Sequence, residues 1–504
     1  MAMYSWMSPD SLLVAVVVAA SAAAARFFAL PLLKRTTRIG NGISLRLPPN
    51  PPGLPILGNL RILGALPHRA LRKLAEAYGP VMGIRLGLVQ AVVVSSFVSA
   101  QKFLREPAFM SRPAGDVSNY LTYGRKGVLS SECGSNWRES RNLCLDHMLS
   151  TRSIDALRGV RNEEIHRLLY SLKKAADGDC KAVDLSEAVT ATILAIVCRT
   201  LFGKVYGNAS AIEKTLKEAT QLTGVFNIND YIPFIGFLDL NGHRRRMKAV
   251  RRAYDSLFET VIHKHCRSLN EGTKLEDCVV ASILSSTGTQ YDRVNLKAIL
   301  MDMITGGSDT SATTVEWTMS ELLRHPRVMR KLQHELEEAV GMDRVVEEED
   351  LPKLPYLEMV IKESMRLHPA IPLIPREARV DCVAGGFQLK KGSQVLVNLW
   401  AVGRDPSQWD DPEAFYPERF EGGIRGAEDR DGLESDFLAF GAGNRRCPGM
   451  QMGLTTVRIV VAQLVHCFDW ALPGDLDMSE RFGIRLSRAK NLLAVPTYRL
   501  PPGS

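Results

Sequence analysis

The chain has 504 residues, 45% apolar and 23% charged, a globular balance that excludes disordered, collagen-like and coiled-coil classes. Its nine cysteines are dilute, odd in number and free of any CxxC pair, which excludes a disulfide scaffold, a zinc ribbon and a thioredoxin-like motif. A net charge of +8 and a pI of 9.0 leave nucleic acid, an anionic membrane or an acidic protein as partners.

From Ser11 to Leu33 the chain is apolar or small apart from Arg26. At about 1.5 Å per helical residue this stretch can cross a bilayer core of about 30 Å. Met1–Asp10 has no Lys or Arg, whereas Lys34, Arg35, Arg38 and Arg46 follow. That asymmetry disfavours a cleaved signal peptide, despite the small residues Ala22–Ala25, and predicts a retained anchor with the body on the cytosolic side. The expected division is a membrane anchor over 1–35, a basic and proline-rich hinge over 36–60, and one body over 61–504. Prolines at the density of Leu47–Asn59 predict a stiff, extended spacer.

The body reads as mainly α with small peripheral β-sheets. Residues 291–325, 355–368 and 449–469 carry helical apolar periodicity. Short strand patterns occur at Val81–Leu86, Ala91–Val94 and Gln394–Asn398. No repeat or second linker divides it.

The stretch richest in chemistry is Phe437–Gly449, Phe-Leu-Ala-Phe-Gly-Ala-Gly-Asn-Arg-Arg-Cys-Pro-Gly. Arg446 breaks any dinucleotide-binding glycine fingerprint. Cys447 stands just before a helix start marked by Pro448, where the positive dipole end and free backbone N–H groups favour a thiolate. Gly441 and Gly443 allow a flat group to approach the backbone, and Arg445 can pair with an acid. Together these features suit a haem iron.

Phe440-x-x-Gly443-x-Arg445-x-Cys447-x-Gly449 resembles the haem-binding signature of the cytochrome P450 monooxygenases. Gly306-Gly307-Ser308-Asp309-Thr310-Ser311 lies in a helical pattern where two glycines cost about 1 kcal/mol each, and is similar to the oxygen-activation motif of that family. Glu363 and Arg366 share a helix face, and with Pro417-Glu418-Arg419-Phe420 they resemble its E-x-x-R and P-E-R-F elements. Trp137 and Arg141, in Asn-Trp-Arg-Glu-Ser-Arg, resemble its W-R-x-x-R helix. The hinge, the His-Pro after E-x-x-R and the Asn398–Asp405 stretch resemble the plant endoplasmic-reticulum branch; Asn142 and Asn444 stand where relatives often carry basic residues.

The resemblance implies the P450 fold and haem b with Cys447 as axial thiolate. Phe440, Gly443 and Arg445 would line the cofactor, and Trp137, Arg141, Arg376 and Arg445 would hold its propionates. It implies proton delivery to dioxygen by Thr310 with Asp309 in the relay, under a local helix bulge, and a buried structural network of Glu363, Arg366 and Arg419. It also implies a single-pass endoplasmic-reticulum protein fed by a separate NADPH-dependent P450 reductase. The acidic surface of such a reductase gives the positive charge a partner, with His243–Arg246 as a candidate contact alongside two other readings of that run, a solvated helix face or a contact with membrane headgroups; no recognition motif supports nucleic acid. The expected pocket walls are the 112–130 loop, the 222–240 segment (Phe226, Tyr231, Phe234, Phe237), the helix before Gly306, Ala370–Ile374 and Phe482–Leu486. They are mostly apolar and suit a small hydrophobic specialised metabolite, terpenoid or phenolic/flavonoid. Two other classes stay open: a haem-thiolate isomerase or dehydratase that uses no dioxygen, which usually lacks the acid–Thr pair, and a non-enzymatic membrane haem protein.

Overall fold

The computed structural model describes residues 47–178, 182–203, 209–224, 227–232, 239, 242–273, 277–288, 291–422 and 437–501. The expected anchor, the hinge residues before Leu47, and Phe226, Phe234 and Phe237 lie outside them.

Nine helices position the site: α1 Ser135–Cys144, α2 Arg158–Ala176, α3 Leu185–Phe202, α4 Ala209–Gly224, α5 His243–Asn270, α6 Arg293–Arg324, α7 Pro326–Val340, α8 Pro355–Leu367 and α9 Met450–Cys467. The axis of the molecule is α6. Its N-cap Asp292 accepts the N–H of Val294 (2.9 Å), and the helix stops at His325, before Pro326 opens α7. It buries Val315, Met319 and Leu322 against Val189, Ile193 and Ile196 of α3 and against Val457, Val460 and Val461 of α9. Each such side chain stabilises the fold by about 1.5–3 kcal/mol. Among the described residues α3 alone is long and apolar enough to cross a membrane, and it is a core helix buried beside α6.

The main sheet joins β1 Val81–Leu86, β2 Val89–Val94, β3 Leu373–Glu377 and β4 Gln394–Asn398 in the order β1-β2-β4-β3. β2 and β4 run parallel, with Val92 opposite Val395, and β3 returns antiparallel to β4, with Arg376 opposite Val395. A second sheet pairs Leu493–Tyr498 with both Val183–Asp184 and Phe468–Ala471. That last strand explains why the helical pattern of 449–469 ends at Cys467.

The proline run is docked as well as extended. Gly83 donates to the carbonyl of Pro49 (2.9 Å), and Asn59 exchanges bonds with Arg85, its N–H to the carbonyl (2.6 Å) and its Oδ1 from the N–H (2.9 Å). The segment therefore continues the edge of the sheet instead of standing off it.

Candidate functional site

The loop before α9 is built by two glycines with left-handed backbone. Gly441 has φ 71° and Gly443 φ 66°; at Gly443 a Cβ would also lie 2.7 Å from the carbonyl oxygen of Leu104. Between them the chain turns back so that the N–H of Cys447 donates to the carbonyl of Phe440 (2.9 Å). The Cys447 side chain has accessible surface although protein encloses it almost completely, the combination expected of a group facing an internal cavity. Burial pushes its thiol up, while the Gly449 N–H, Arg141 and Arg446 pull it down. The lowering effects legible in the sequence are present, and enclosure outweighs them.

α6, which packs on α9, is buried on nearly all sides, but Thr305, Gly306, Gly307 and Thr310 keep accessible surface. A methyl added at Gly306 would meet no heavy atom within 4 Å, so this position borders open space. At Gly307 it would lie 3.2 Å from Val197, so that glycine admits α3. The helix runs unbroken as α-helix through both, without the bulge that the resemblance implied. Thr310 donates its hydroxyl to the carbonyl of Gly306 (2.7 Å). Asp309 faces elsewhere. Its carboxylate accepts the Thr220 hydroxyl of α4 and lies 3.7 Å from Arg485 Nε, while Arg485 Nη1 donates to Thr313 Oγ1 (2.9 Å). Burial raises the Asp309 carboxyl, and Arg485, Thr220 and Lys217 oppose that rise.

Beside the cysteine loop four arginines converge. Arg445 donates to the carbonyls of Met110 (2.8 Å), Val128 (3.0 Å) and Ser131, and its guanidinium lies 4.4 Å from the Trp137 ring centroid. Arg141 donates to the carbonyl of Arg446 (3.2 Å). Arg376, on β3, is 1% exposed with an unpartnered Nη1. Arg112 donates to the carbonyl of Pro375 (2.7 Å), leaves its Nε unpartnered, and is enclosed yet partly accessible in the manner of Cys447. Burial, then Arg376 and Arg445, drive the Arg112 guanidinium well below its usual range. No carboxylate pairs with any of the four among the described residues. The buried Trp137 Nε1 is a third orphaned donor. Unsatisfied buried groups cost about 1–3 kcal/mol each, more when charged. A flat group carrying carboxylates would satisfy them, so these residues fit a haem.

Glu363 lies at the centre of a separate buried network. It accepts from Arg366 Nε (2.7 Å) and Nη2 (2.9 Å), from Arg419 Nε (2.9 Å) and from the backbone N–H of Tyr416 (2.8 Å). Arg366 goes on to the carbonyls of Gly403, Pro412 (2.7 Å) and Ala414 (2.9 Å), tying α8 to the chain that leads into Pro417–Phe420.

Of the expected pocket walls, Ala370 and Leu486 are joined by a backbone bond (2.9 Å), and Gly224 at the end of α4 touches Gly483. Phe482 instead stacks on His68, with centroids 5.7 Å apart. Within the basic run His243–Arg246, Arg244 pairs with Asp116 (2.7 Å) and Arg246 with Glu218 (2.7 Å). Sequence reasoning reached Arg112 and Arg485 only as members of expected pocket-wall segments, with no role for either, and missed Thr220, because none of the three lies in a motif.

Residues 48–493 match the family model Cytochrome P450. Cytochrome P450 CYP736A12 of Panax ginseng is 42% identical over 473 residues, 90% of this chain and 94% of that protein. A flavonoid 3'-monooxygenase of Arabidopsis thaliana is 37% identical, covering 91% of this chain and 92% of its own. A zebrafish cytochrome P450 structure with abiraterone superimposes with a TM-score of 0.72 at 27% identity, over 86% of this chain and 100% of that one. With the enclosed thiol, the open face of α6 and the uncompensated arginines, these likenesses show that the chain belongs to the cytochrome P450 family, as a monooxygenase with plant relatives whose fold implies a haem held by a cysteine thiolate.

Proposed function

We propose that the chain hydroxylates a small hydrophobic specialised metabolite, terpenoid or phenolic, at the endoplasmic-reticulum membrane, with dioxygen and with electrons from a separate NADPH-dependent reductase. The observation that carries this reading is the accessible, enclosed sulfur of Cys447 beside four guanidinium groups without a carboxylate among the described residues. Cys447 Sγ would be the protein's ligand to the iron, and Phe440 and Gly443 would line the cofactor. Arg112, Arg141, Arg376, Arg445 and Trp137 Nε1 would hold the propionates. When bound, the haem supplies the activation of dioxygen that inserts oxygen into an unreactive bond, aided by electron donation from the thiolate.

The chain's own residues orient the substrate and govern protons. Thr310 Oγ1 is the hydroxyl on the open face of α6 and hands on a proton there. Asp309, kept able to hold a proton by burial, resupplies it once its carboxyl leaves Thr220 and Arg485, so α4 and the 482–486 loop govern that step. Thr310→Ala should therefore keep consuming NADPH while product per NADPH falls about tenfold or more and peroxide rises. Unchanged coupling would remove Thr310 from the relay.

Arg112→Met separates cofactor binding from folding. Loss of one charge-assisted contact worth about 1.5–3 kcal/mol should speed haem release about ten- to a hundredfold. The haem-free chain should become no less stable to urea, because repulsion from Arg376 and Arg445 is relieved. Equal haem retention would remove Arg112 from the clamp.

Residues 1–35 and the basic hinge support membrane attachment, and the +8 charge suits an acidic reductase surface. The flavonoid monooxygenase name among the relatives supports a phenolic substrate. Co-expression with a P450 reductase in microsomes, fed terpenes and phenolics, tests the reading. An NADPH-dependent product heavier by one oxygen is expected. Turnover to an isomer or dehydrated product without NADPH would overturn it.

A further inference from the structure

Asp302 lies on α6 eight residues before Thr310, is 1% exposed, and has no cationic partner among the described residues. Its Oδ2 accepts the backbone N–H of Val128 and that of Leu129 (2.9 Å). The fit is tight: a Cβ at Gly127 would lie 2.0 Å from that oxygen. The same segment is held on its other side through its carbonyls, that of Val128 by Arg445 Nη1 (3.0 Å), that of Ser131 by Arg445 Nη2, and that of Ser130 by Arg125 Nε (3.1 Å). Two of the three acceptors that fix Arg445 therefore belong to a segment whose N–H side is fixed by Asp302.

We propose that Asp302 is a positioning residue for the arginine cluster: it holds residues 127–131 against α6, so that the Val128 and Ser131 carbonyls hold Arg445 over Trp137. What Arg445 then binds rests on the haem reading above; the hold on the segment does not. A buried carboxylate with no counter-charge is a costly group to keep at this position, and its two charge-assisted bonds to backbone N–H groups give it a use.

Acid acts on the hold with a definite sign. Burial raises the Asp302 carboxyl to about 6, against the pull of the Leu129 and Val128 N–H groups. The titratable group facing it from α1 is Cys144, whose thiol burial and Asp302 push up to about 12, with Arg141 opposing. Opening the segment would let water reach the carboxylate and return it toward its ordinary value. The closed form thus binds the proton more tightly, and acidification through about pH 6 favours closure.

Hydrogen exchange of the 127–131 amides in the full chain, together with haem transfer to an acceptor protein, tests the proposal. In the wild type, protection corrected for intrinsic rate should rise as pH falls through about 6. Asp302→Ala should lower protection about tenfold or more and speed haem loss to a similar degree. Asp302→Asn keeps an acceptor oxygen of the same reach; it should restore most of both and remove the pH dependence. Should Asp302→Ala fail to fold, Gly127→Ala displaces the same carboxylate from the loop side and should reproduce the loss. Wild-type protection and haem retention in Asp302→Ala or Gly127→Ala, or no rescue by Asn, would overturn the proposal. A wild-type chain that takes up no haem would defeat the haem reading alone, and the exchange measurement would still decide for Asp302.

Discussion

Cys447→Ala is expected to give a folded chain that forms no oxygenated product and has lost the thiolate-type spectrum of its reduced carbon monoxide complex. The loop around it is shaped by the backbone, through Gly441, Gly443 and the bond from the Cys447 N–H to the Phe440 carbonyl, and alanine keeps all three. Cys447 keeps accessible surface, so truncating its small side chain should cost roughly 1 kcal/mol or less. What alanine cannot replace is the thiolate that, in the proposed reading, would donate electron density to a bound haem. Loss of turnover with intact urea denaturation would separate the two effects. A variant that kept the spectrum would move the ligand to another residue.

The largest expected effect on folding belongs to Glu363→Ala. Glu363 is 0% exposed and Arg366 3% exposed, so removing the carboxylate leaves Arg366 buried without its partner and Arg419 without its own. Breaking a buried pair in this way costs about 3–5 kcal/mol, against a typical total of about 5–15 kcal/mol. The yield of soluble protein and the urea midpoint should both fall sharply. Arg366→Lys should do nearly as much harm, because one ammonium cannot serve Glu363 together with the Gly403, Pro412 and Ala414 carbonyls. A midpoint within experimental error of the wild type in Glu363→Ala would make the network dispensable.

How far the site was legible follows from which of its parts are local. The long helices, the strand patterns and the cysteine loop depend on residues close in sequence, so periodicity and two glycines locate them. Asp309 shows where locality stops. It adjoins Thr310, but successive residues on a helix point about 100° apart. Thr310 therefore meets the open face while Asp309 turns to Thr220 and Arg485. The role of Arg112 is invisible for another reason: its place depends on its segment crossing beside β3, where it meets the Pro375 carbonyl and Arg376. The charge of the run His243–Arg246 is legible in the sequence, but its pairing with Asp116 and Glu218 is not, because they reach it from distant helical segments.

Whether the sulfur of Cys447 binds iron is decided by iron-edge X-ray absorption on the purified, haem-loaded full-length chain. A single sulfur scatterer in the first coordination sphere, absent from the Cys447→Ala chain, is the predicted result. An iron surrounded only by nitrogen and oxygen donors, or a sulfur signal that survives the substitution, would contradict it.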